Sequence, residues 1–395
     1  MTTESHPLPP RAGELLRTIH RRPGITRSQA AAALGLSTGT ASDLVARLVD
    51  ERWLSEAPAP AAGGRGRPTR PLRPHPEGPV VAVAAITHET WDVEAVALGG
   101  AAVWRAGARH DRECRSVLDA VTGAWRRLQG AFPSRVRGFA VSVPGTVSGT
   151  RLVQAPNLGW RAVDLAILRP PGAGDARLTV GNDASLSALA ELTRGAAAGS
   201  AGSLHLFMDS GIGGALVDRG RVTAGAHGMA GEYGHMPFGS RRVRCRCGAR
   251  GCWNTELDGA ALARALGEPE PNPADEVSYS RSVLTAALAG RRPERAAAGR
   301  AAGALGRGAA GLVNATDPEL VVLSGLAAEL LAAAPERLRR AYRDGLMETL
   351  AGAPPAIVPG TLGARGPLVG AAESAFALLL GVPAAGSLSR PSVSI

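Results

Sequence analysis

The chain has 395 residues, which at roughly 100–200 residues per domain predicts two or three domains. Hydrophobic residues make up 45% and charged residues 20%, a balance that excludes global disorder. The net charge of +10 is carried by arginine without lysine and is spread along the chain, so it permits nucleic-acid binding without establishing it. The N-terminus has no signal-peptide pattern and no apolar run reaches membrane-spanning length, so we expect a cytoplasmic protein with no membrane partner.

Residues 1–62 are predicted to form a winged helix-turn-helix DNA-binding domain. Apolar residues within 15–19 lie at helical spacing and predict a first short helix. Thr26, followed three residues later by a glutamine, offers a capping box for a second helix, and Ser37 offers an N-cap for a third. Helix, glycine-containing turn, helix is the helix-turn-helix layout. The Pro- and Gly-rich segment 63–78 is predicted to be the end of the wing and a linker.

The candidate DNA contacts lie on the third helix and in the wing. Residues near the start of that helix would reach base edges in the major groove; the candidates are Thr38, Gly39, Thr40, Ser42 and Asp43. Ser37, the N-cap, is a further candidate DNA contact, since a helix N-terminus can hold a phosphate. Arg27 would hold a phosphate, and Arg65 and Arg67, flanked by glycines, would enter the minor groove. Asp43 could accept from cytosine but would repel phosphate. Two plainer interpretations of the segment alone stay open, a generic helical bundle and a soluble basic linker.

The pattern changes at Pro79. Apolar runs such as VVAVAAI, GFAVSVPG, LHLFMD and LVVLSG alternate with Ala-, Leu- and Arg-rich segments that are typical of helices. This alternation predicts an α/β architecture. Residues 385–395 are predicted to be a frayed tail.

A series of motifs runs along nearly the whole chain. It begins with TRSQAAAALGLSTGTASDLVARLVDERWLSE and GGRGRPTRPL and continues through VPGTVSG, APNLGW, GNDAS, GIGGALV, HGMAGEYGHMPF, CRCGARGC and LVNATDPELVVLSG. In this order the motifs resemble those of the ROK family (repressors, open reading frames and kinases). The resemblance implies a two-lobed actin-like and hexokinase-like (ribonuclease H-like) ATPase fold with a sugar in the cleft. We then expect lobe 1 at 79–184, completed by a C-terminal helix at about 368–384, and lobe 2 with a zinc site at 185–367.

A zinc site is expected at His235, Cys245, Cys247 and Cys252. Three thiolates and an imidazole are a ligand set that tetrahedral zinc prefers, and both the C-x-C-G-x-x-G-C spacing and the family pattern agree with it. Four protein ligands close the coordination shell, so the ion would be structural. Unligated thiols that happen to cluster are the plainer interpretation, and Cys114 is expected to be a small buried hydrophobe.

The resemblance also implies the sugar contacts, namely Asn157, Asn182, Asp183, Glu232 and His235. In kinases of the family, the residue equivalent to Asp183 is the general base. The chain departs from the pattern two residues after the last zinc cysteine, where Asn254 replaces a common glutamate and Glu256 is out of register. The identity of the ligand is therefore open.

Both loops that bind phosphate in kinases of this fold are altered. In the first, VAVAAITHETWD, Ala85 replaces an aspartate, and Thr87 and His88 replace glycines. In the second, an expected Gly-Thr-Gly becomes Asp209-Ser210-Gly211, and an aspartate there would repel phosphate. These changes predict that the chain uses no ATP and is no enzyme, with Asp183 a relic base.

The prediction is thus a sequence-specific DNA-binding transcriptional regulator, a repressor, that responds to a sugar or sugar derivative. It would bind a palindromic double-stranded operator as a homodimer or tetramer, and closure of the sugar cleft would change the spacing of the two recognition helices. Two alternatives remain. One is an ATP-dependent sugar kinase with a DNA-binding arm, and the other is a ligand-independent DNA-binding protein whose sensor is a dimerisation scaffold.

Overall fold

The computed structural model describes residues 8–57, 70–170, 176–226 and 228–381. At the N-terminus lies a winged helix-turn-helix, which we call the DNA-binding module. Its elements are α1 (Pro10–Arg21), α2 (Arg27–Leu34), α3 (Thr38–Asp50), β1 (Leu54–Glu56) and β2 (Leu72–Pro74). The strands β1 and β2 pair antiparallel as the wing, with Leu54 opposite Pro74. The wing tip, which includes Arg65 and Arg67, lies outside the described residues.

Both predicted helix caps of the module are confirmed. The Thr26 hydroxyl accepts from Gln29 N–H while the Gln29 side chain accepts from Thr26 N–H, which is a capping box. Gly35 then ends α2 in the left-handed conformation, at φ +61°, and the Ser37 hydroxyl accepts from Thr40 N–H to begin α3. Local side-chain chemistry therefore fixes the turn that presents α3.

The following part of the chain, which we call lobe 1, forms a five-stranded sheet. Its elements are β3 (Val80–Ile86), β4 (Thr90–Ala97), β5 (Ala102–Arg109), α4 (Cys114–Ala131), β6 (Val136–Val143), β7 (Thr146–Ser148), β8 (Arg151–Ala155), β9 (Trp160–Asp164), β10 (Leu178–Asn182) and α5 (Asp183–Arg194). The sheet order is β10-β6-β3-β4-β5, while β7, β8 and β9 form a separate small sheet. β3 is buried along its whole length, as its unbroken apolar sequence predicts.

A second five-stranded sheet defines what we call lobe 2. Its elements are β11 (Gly202–Met208), β12 (Ile212–Asp218), β13 (Arg221–Val222), α6 (Gly259–Leu266), α7 (Glu276–Leu288), α8 (Arg292–Thr316), β14 (Leu320–Gly325), α9 (Leu326–Ala333), α10 (Pro335–Gly345), α11 (Glu348–Ala351) and β15 (Ala356–Pro359). The strand order is β13-β12-β11-β14-β15. The last helix of the described chain is α12 (Gly366–Leu379), and it packs on β3 and β6 of lobe 1.

The two sheets have the same topology. In each, an antiparallel three-stranded meander is extended from its first strand by two parallel strands. The helices α5 and α12 pack against each other, and α5 also contacts β11 and β12 of lobe 2. Thus α5 lies between the lobes. Among the described helices, none is long and apolar enough to cross a membrane.

Candidate functional site

An open cleft of about 690 Å³ lies between the lobes, where the ends of strands from both sheets meet. Every side chain that the family resemblance assigns to sugar binding lines this cleft. These are Asn157, Asn182, Asp183, Glu232 and His235. We call them the sugar half of the cleft. They come from three separate segments of the chain, so the fold brings together polar groups that the sequence keeps apart.

Side-chain hydrogen bonds cross the sugar half from one lobe to the other. The Thr146 hydroxyl, at the start of β7, donates to Glu232 Oε1 over 2.8 Å. The Asn157 side-chain amide donates to the Ser210 hydroxyl, also over 2.8 Å. Thr146 was not singled out from the sequence, although it lies within the VPGTVSG motif. A ligand in the cleft would share or replace these bonds.

Asn182 and Asp183 are placed in the cleft by the start of α5. Asn182 is the N-cap of this helix, since its Oδ1 accepts from Ser185 N–H and its Nδ2 donates to the Gly145 carbonyl. Only one of the two Nδ2 hydrogens of Asn182 therefore remains to donate to a ligand. Asp183 follows as the first helical residue, with Oδ1 accepting from Ala184 N–H.

Burial raises the pKa of Asp183 to about 7, and the nearby carboxylates Asp209 and Glu232 act in the same direction, against the lowering effect of His88. Near neutral pH this carboxyl group is partly protonated, so it can either donate to or accept from a ligand hydroxyl.

Asn254 and Glu256, which follow the metal-site cysteines, are placed differently relative to the cleft. Asn254 lines the cleft, but its Oδ1 accepts from Ile212 N–H at 2.7 Å and so supports the start of β12. Glu256 does not line this cleft, and its Oε1 accepts from Ser240 N–H. Glu256 therefore does not take the place of the missing glutamate.

The opposite end of the cleft, which we call the phosphate half, is formed by the turns that follow β3 and β11. These are the two segments that the resemblance assigns to phosphate binding. His88 of the first turn and Asp209 of the second contact each other across the cleft, with Nδ1 and Oδ2 3.0 Å apart. His88 is buried, and Ala85 is a buried residue of β3. No arginine is among the described residues that line the cleft.

The turn that carries His88 is also tied to lobe 2. Glu89, which is buried, accepts from both the backbone N–H and the hydroxyl of Ser278 on α7. Arg109 donates to Glu89 and to Asp275. Side chains thus fill and brace the region where, in a kinase of this fold, glycine backbone would approach phosphate.

The four predicted metal ligands are assembled beside the sugar half. The candidate ligand atoms of His235, Cys245, Cys247 and Cys252 all lie within 4.8 Å of one another. Cys247 Sγ is 3.6 Å from Cys252 Sγ, and Cys245 Sγ is 3.8 Å from His235 Nδ1. A tetrahedral zinc ion with bonds of about 2.3 Å to sulfur and 2.0 Å to nitrogen would require separations of about 3.5–3.8 Å. Two separations match these values and the others lie within 4.8 Å, so the four side chains could hold a metal ion.

The local sequence explains how this cluster forms and how it meets the cleft. Gly248 and Gly251 have φ values of +100° and +84°, which glycine adopts without strain, and they turn the chain between the cysteines. His235 directs Nδ1 toward Cys245, while its Nε2 lies 3.9 Å from Glu232 Oε2. One ring could thus bind a metal through Nδ1 and a cleft ligand through Nε2.

On the DNA-binding module, the predicted DNA contacts Ser37, Thr38, Gly39, Thr40 and Asp43 are exposed near the start of α3. Arg27 and Ser42 are only partly exposed. Arg27 donates to Ser42 and forms an ion pair with Glu56 of the wing. Arg27 therefore braces α3 against β1 in this structure, and a DNA phosphate would have to compete with Glu56 for it.

Comparisons with known proteins agree with both parts of this architecture. The profile of the ROK family matches residues 106–377, and that of the MarR family matches residues 6–65. The xylose repressor of Caldicellulosiruptor bescii is 25% identical over 331 residues, which cover 79% of this chain and 82% of that protein. The glucokinase of Halalkalibacterium halodurans is 30% identical over 219 residues, which cover 51% of this chain and 65% of that enzyme.

A solved structure extends the likeness to the whole architecture. The crystal structure of a ROK family transcriptional regulator, described as a homologue of the E. coli MLC protein, superposes with a TM-score of 0.72. The match covers 93% of this chain and 95% of that one at 21% sequence identity. The N-terminal module and the two-lobed sensor thus occur together in one known fold. The chain belongs to the ROK family and carries a MarR-type winged helix-turn-helix at its N-terminus.

Proposed function

We infer that the protein is a sequence-specific DNA-binding transcriptional repressor that responds to a sugar. One observation carries this inference. A winged helix-turn-helix is packed onto a two-lobed sensor whose cleft has a polar sugar half and a phosphate half filled by side chains. The similarity to xylose repressors supports the same conclusion. Acting on DNA, the protein would work in the cytoplasm.

For DNA binding, the exposed start of α3 would enter the major groove and read bases through Thr38, Gly39, Thr40 and Asp43. Ser42 would be a further base contact, while the backbone at Ser37 and the side chain of Arg27 would contribute phosphate contacts. Arg65 and Arg67 would extend the wing into the minor groove. Two modules in a homodimer would require a palindromic operator.

For the effector, a neutral sugar suits the cleft best. Asp183 and Glu232 would accept hydroxyl hydrogen bonds, and Asn157 and His235 would complete the contacts. Asn254 presents an amide where the family commonly has a carboxylate. We therefore expect the sugar to carry a different group facing Asn254 from the hydroxyl that would donate to a glutamate. A zinc ion held by His235 and the three cysteines would fix the loop that carries two of these contacts, and its role would be structural.

We further propose that the chain lacks kinase activity. Phosphate would meet the carboxylate of Asp209 and the His88 ring instead of open glycine backbone, and Ala85 supplies no carboxylate to position a metal. The kinase alternative is favoured by one observation, namely the pKa of about 7 for Asp183, which suits a general base. Measurement of ATP consumption with a panel of sugars separates the repressor without kinase activity from the kinase. Turnover that is lost in the Asp183→Asn variant would show that the chain is a kinase.

Selection of DNA from a random pool by the purified full-length protein tests the proposal directly. We expect enrichment of one palindromic sequence, with binding that weakens steeply as salt rises. An Asp43→Ala variant should shift the preferred base at one position and keep the half-site spacing. Absence of any sequence preference would contradict the proposed function. If a preference appears but D-xylose, D-glucose and related sugars give neither thermal stabilisation nor release, the ligand-independent alternative is correct.

A further inference from the structure

A buried polar cluster joins the DNA-binding module to the sensor. His20, near the end of α1, is only 2% exposed. Its Nδ1 accepts from Gly99 N–H, in the β4–β5 turn, over 2.8 Å, so the ring proton lies on Nε2. Nε2 lies 3.0 Å from Glu373 Oε1 of α12, to which it donates, and 2.7 Å from Arg194 Nη2. The ring also packs against Phe376, with ring centroids 4.4 Å apart.

Arg194, the last residue of α5, completes the cluster. Its Nε donates to Glu373 Oε1, its Nη1 donates to the Gly99 carbonyl at 3.1 Å, and its Nη2 donates to the His20 carbonyl at 3.2 Å. One guanidinium group therefore bonds the DNA-binding module, the β4–β5 turn of lobe 1 and α12 at the same time. We call His20, Arg194 and Glu373 the junction triad.

The same helix connects the junction triad to the cleft. α5 begins at Asp183 in the sugar half and ends at Arg194, so its two ends are about 18 Å apart at 1.5 Å per residue. Along this length it packs against α12 and contacts strands of both lobes. A rotation of one lobe relative to the other must therefore move α5, α12 or both.

Burial determines what such a movement does at the triad. Glu373 is 7% exposed; burial raises its pKa, but the hydrogen bond from His20 and the charge of Arg194 outweigh this effect and lower the pKa overall. A charge held so far from water is costly to leave without its partners. Separation of α5 from α12 would break these bonds, so the triad has to move as a unit and to carry the backbone of α1 with it.

We propose that the junction triad transmits the state of the sugar cleft to the DNA-binding module. This inference rests on the proposed function and adds its route of regulation. Ligand binding at the start of α5 displaces the helix, and Arg194 passes the displacement to His20 and so to the orientation of α1. His20, Arg194 and Glu373 are positioning residues, because none of them lines the cleft or lies near the exposed start of α3.

The test measures coupling separately from binding. Full-length protein and its variants are titrated with the operator fragment obtained by DNA selection, with and without saturating D-xylose or D-glucose. The sugar dissociation constant is measured in parallel by calorimetry. The coupling factor is the ratio of the two operator dissociation constants, and linkage requires the same factor from sugar titrations with and without operator.

We expect a coupling factor of about ten or more for the unmodified chain and below about two for Arg194→Met. The sugar-free operator affinity and the sugar affinity should each stay within about threefold of the unmodified chain. Arg194→Lys keeps the positive charge but lacks the planar guanidinium group with its several N–H donors, so it should retain part of the coupling. If Arg194→Met fails to fold, the double variant Arg194→Met/Glu373→Met removes both buried charges together and carries the test.

Arg365→Met is the matched control. Arg365 also pairs with a buried glutamate, Glu94, which keeps Arg105 as a second partner, and neither Arg365 nor Glu94 forms an ion pair with a described residue of the DNA-binding module. This variant should keep the full coupling factor. A folded Arg194→Met or double variant with unreduced coupling overturns the proposal and leaves the proposed function intact. If no sugar alters operator affinity in the unmodified chain, the proposed function itself fails and the coupling route fails with it.

Discussion

The sugar half and the phosphate half of the cleft lie side by side between sheets of the same topology, yet their polar groups are used differently. In the sugar half, Asp183 and Glu232 each accept a hydrogen bond through one carboxylate oxygen, Oδ1 and Oε1 respectively. The second oxygen of each carboxylate is left open to the cleft. In the phosphate half, His88 and Asp209 contact each other, one from the first hairpin turn of each lobe. Under the proposed function, the same fold would keep the groups that bind sugar hydroxyls and would close the place where phosphate lies in a kinase.

The largest effect is expected where the sugar half depends on the metal cluster. Cys252→Ser should remove bound zinc and lower the unfolding temperature by about 10 °C or more, because the ion would cross-link the loop that holds His235. Cys114→Ser, at the start of α4 and outside the cluster, is the matched control and should keep one zinc per chain. Zinc content by mass spectrometry and thermal unfolding measure both, and full zinc content in Cys252→Ser would exclude the proposed ligand set.

The next effect concerns recognition in the sugar half. Glu232→Gln should weaken sugar binding by about 10- to 100-fold, since hydrogen bonds to charged acceptors contribute about 1.5–3 kcal/mol. Glu256→Gln makes the same chemical change at a carboxylate that accepts from Ser240 N–H outside the cleft, so sugar affinity should be unchanged. Calorimetric titration with D-xylose or D-glucose compares the two variants. Equal losses would show that Glu232 has no specific role.

A smaller effect follows from the titration of Asp183. Its folded-state pKa of about 7 lies above the ordinary value of 3.8, so the folded protein loses stability relative to the unfolded chain as pH rises from about 4 to 7, and the cost is constant above that. Asp183→Asn cannot ionise. Between pH 5 and 8, its unfolding temperature should therefore rise relative to that of the unmodified chain by the equivalent of about 2–3 kcal/mol, since each pKa unit corresponds to about 1.4 kcal/mol. Parallel curves of unfolding temperature against pH would contradict the raised pKa.

The smallest effect is expected from reopening the phosphate half. The triple variant Ala85→Asp/His88→Gly/Asp209→Gly restores a carboxylate and open backbone at the two turns, and we expect weak, millimolar Mg·ATP binding where the unmodified chain shows none. Glu89 and Ser278 still brace the first turn, which limits the gain. Fluorescence titration with a labelled ATP analogue measures it. Saturable binding of similar strength by the unmodified chain would mean that the His88–Asp209 contact does not close the site.

Sequence alone predicted the features that depend on short-range chemistry. The capping box at Thr26, the N-cap at Ser37 and the clustered cysteines are all set by residues a few positions apart. Contacts between distant positions were not predictable from these patterns. His88 and Asp209 are 121 positions apart and His20 and Glu373 are 353 apart, and only the folded backbone brings them together. The shared topology of the two sheets also left no repeat in the sequence, because strand order constrains burial and pairing rather than residue identity.

The most direct test of the account is the operator affinity of the full-length protein, measured by fluorescence anisotropy during titration with D-xylose or D-glucose and, separately, with Mg·ATP. The account predicts that a sugar weakens operator binding by about tenfold or more, while Mg·ATP alone leaves it unchanged and is not consumed in the presence of the sugar. An operator affinity that no sugar alters, together with sugar-dependent ATP consumption that Asp183→Asn abolishes, would contradict it and identify the chain as a kinase.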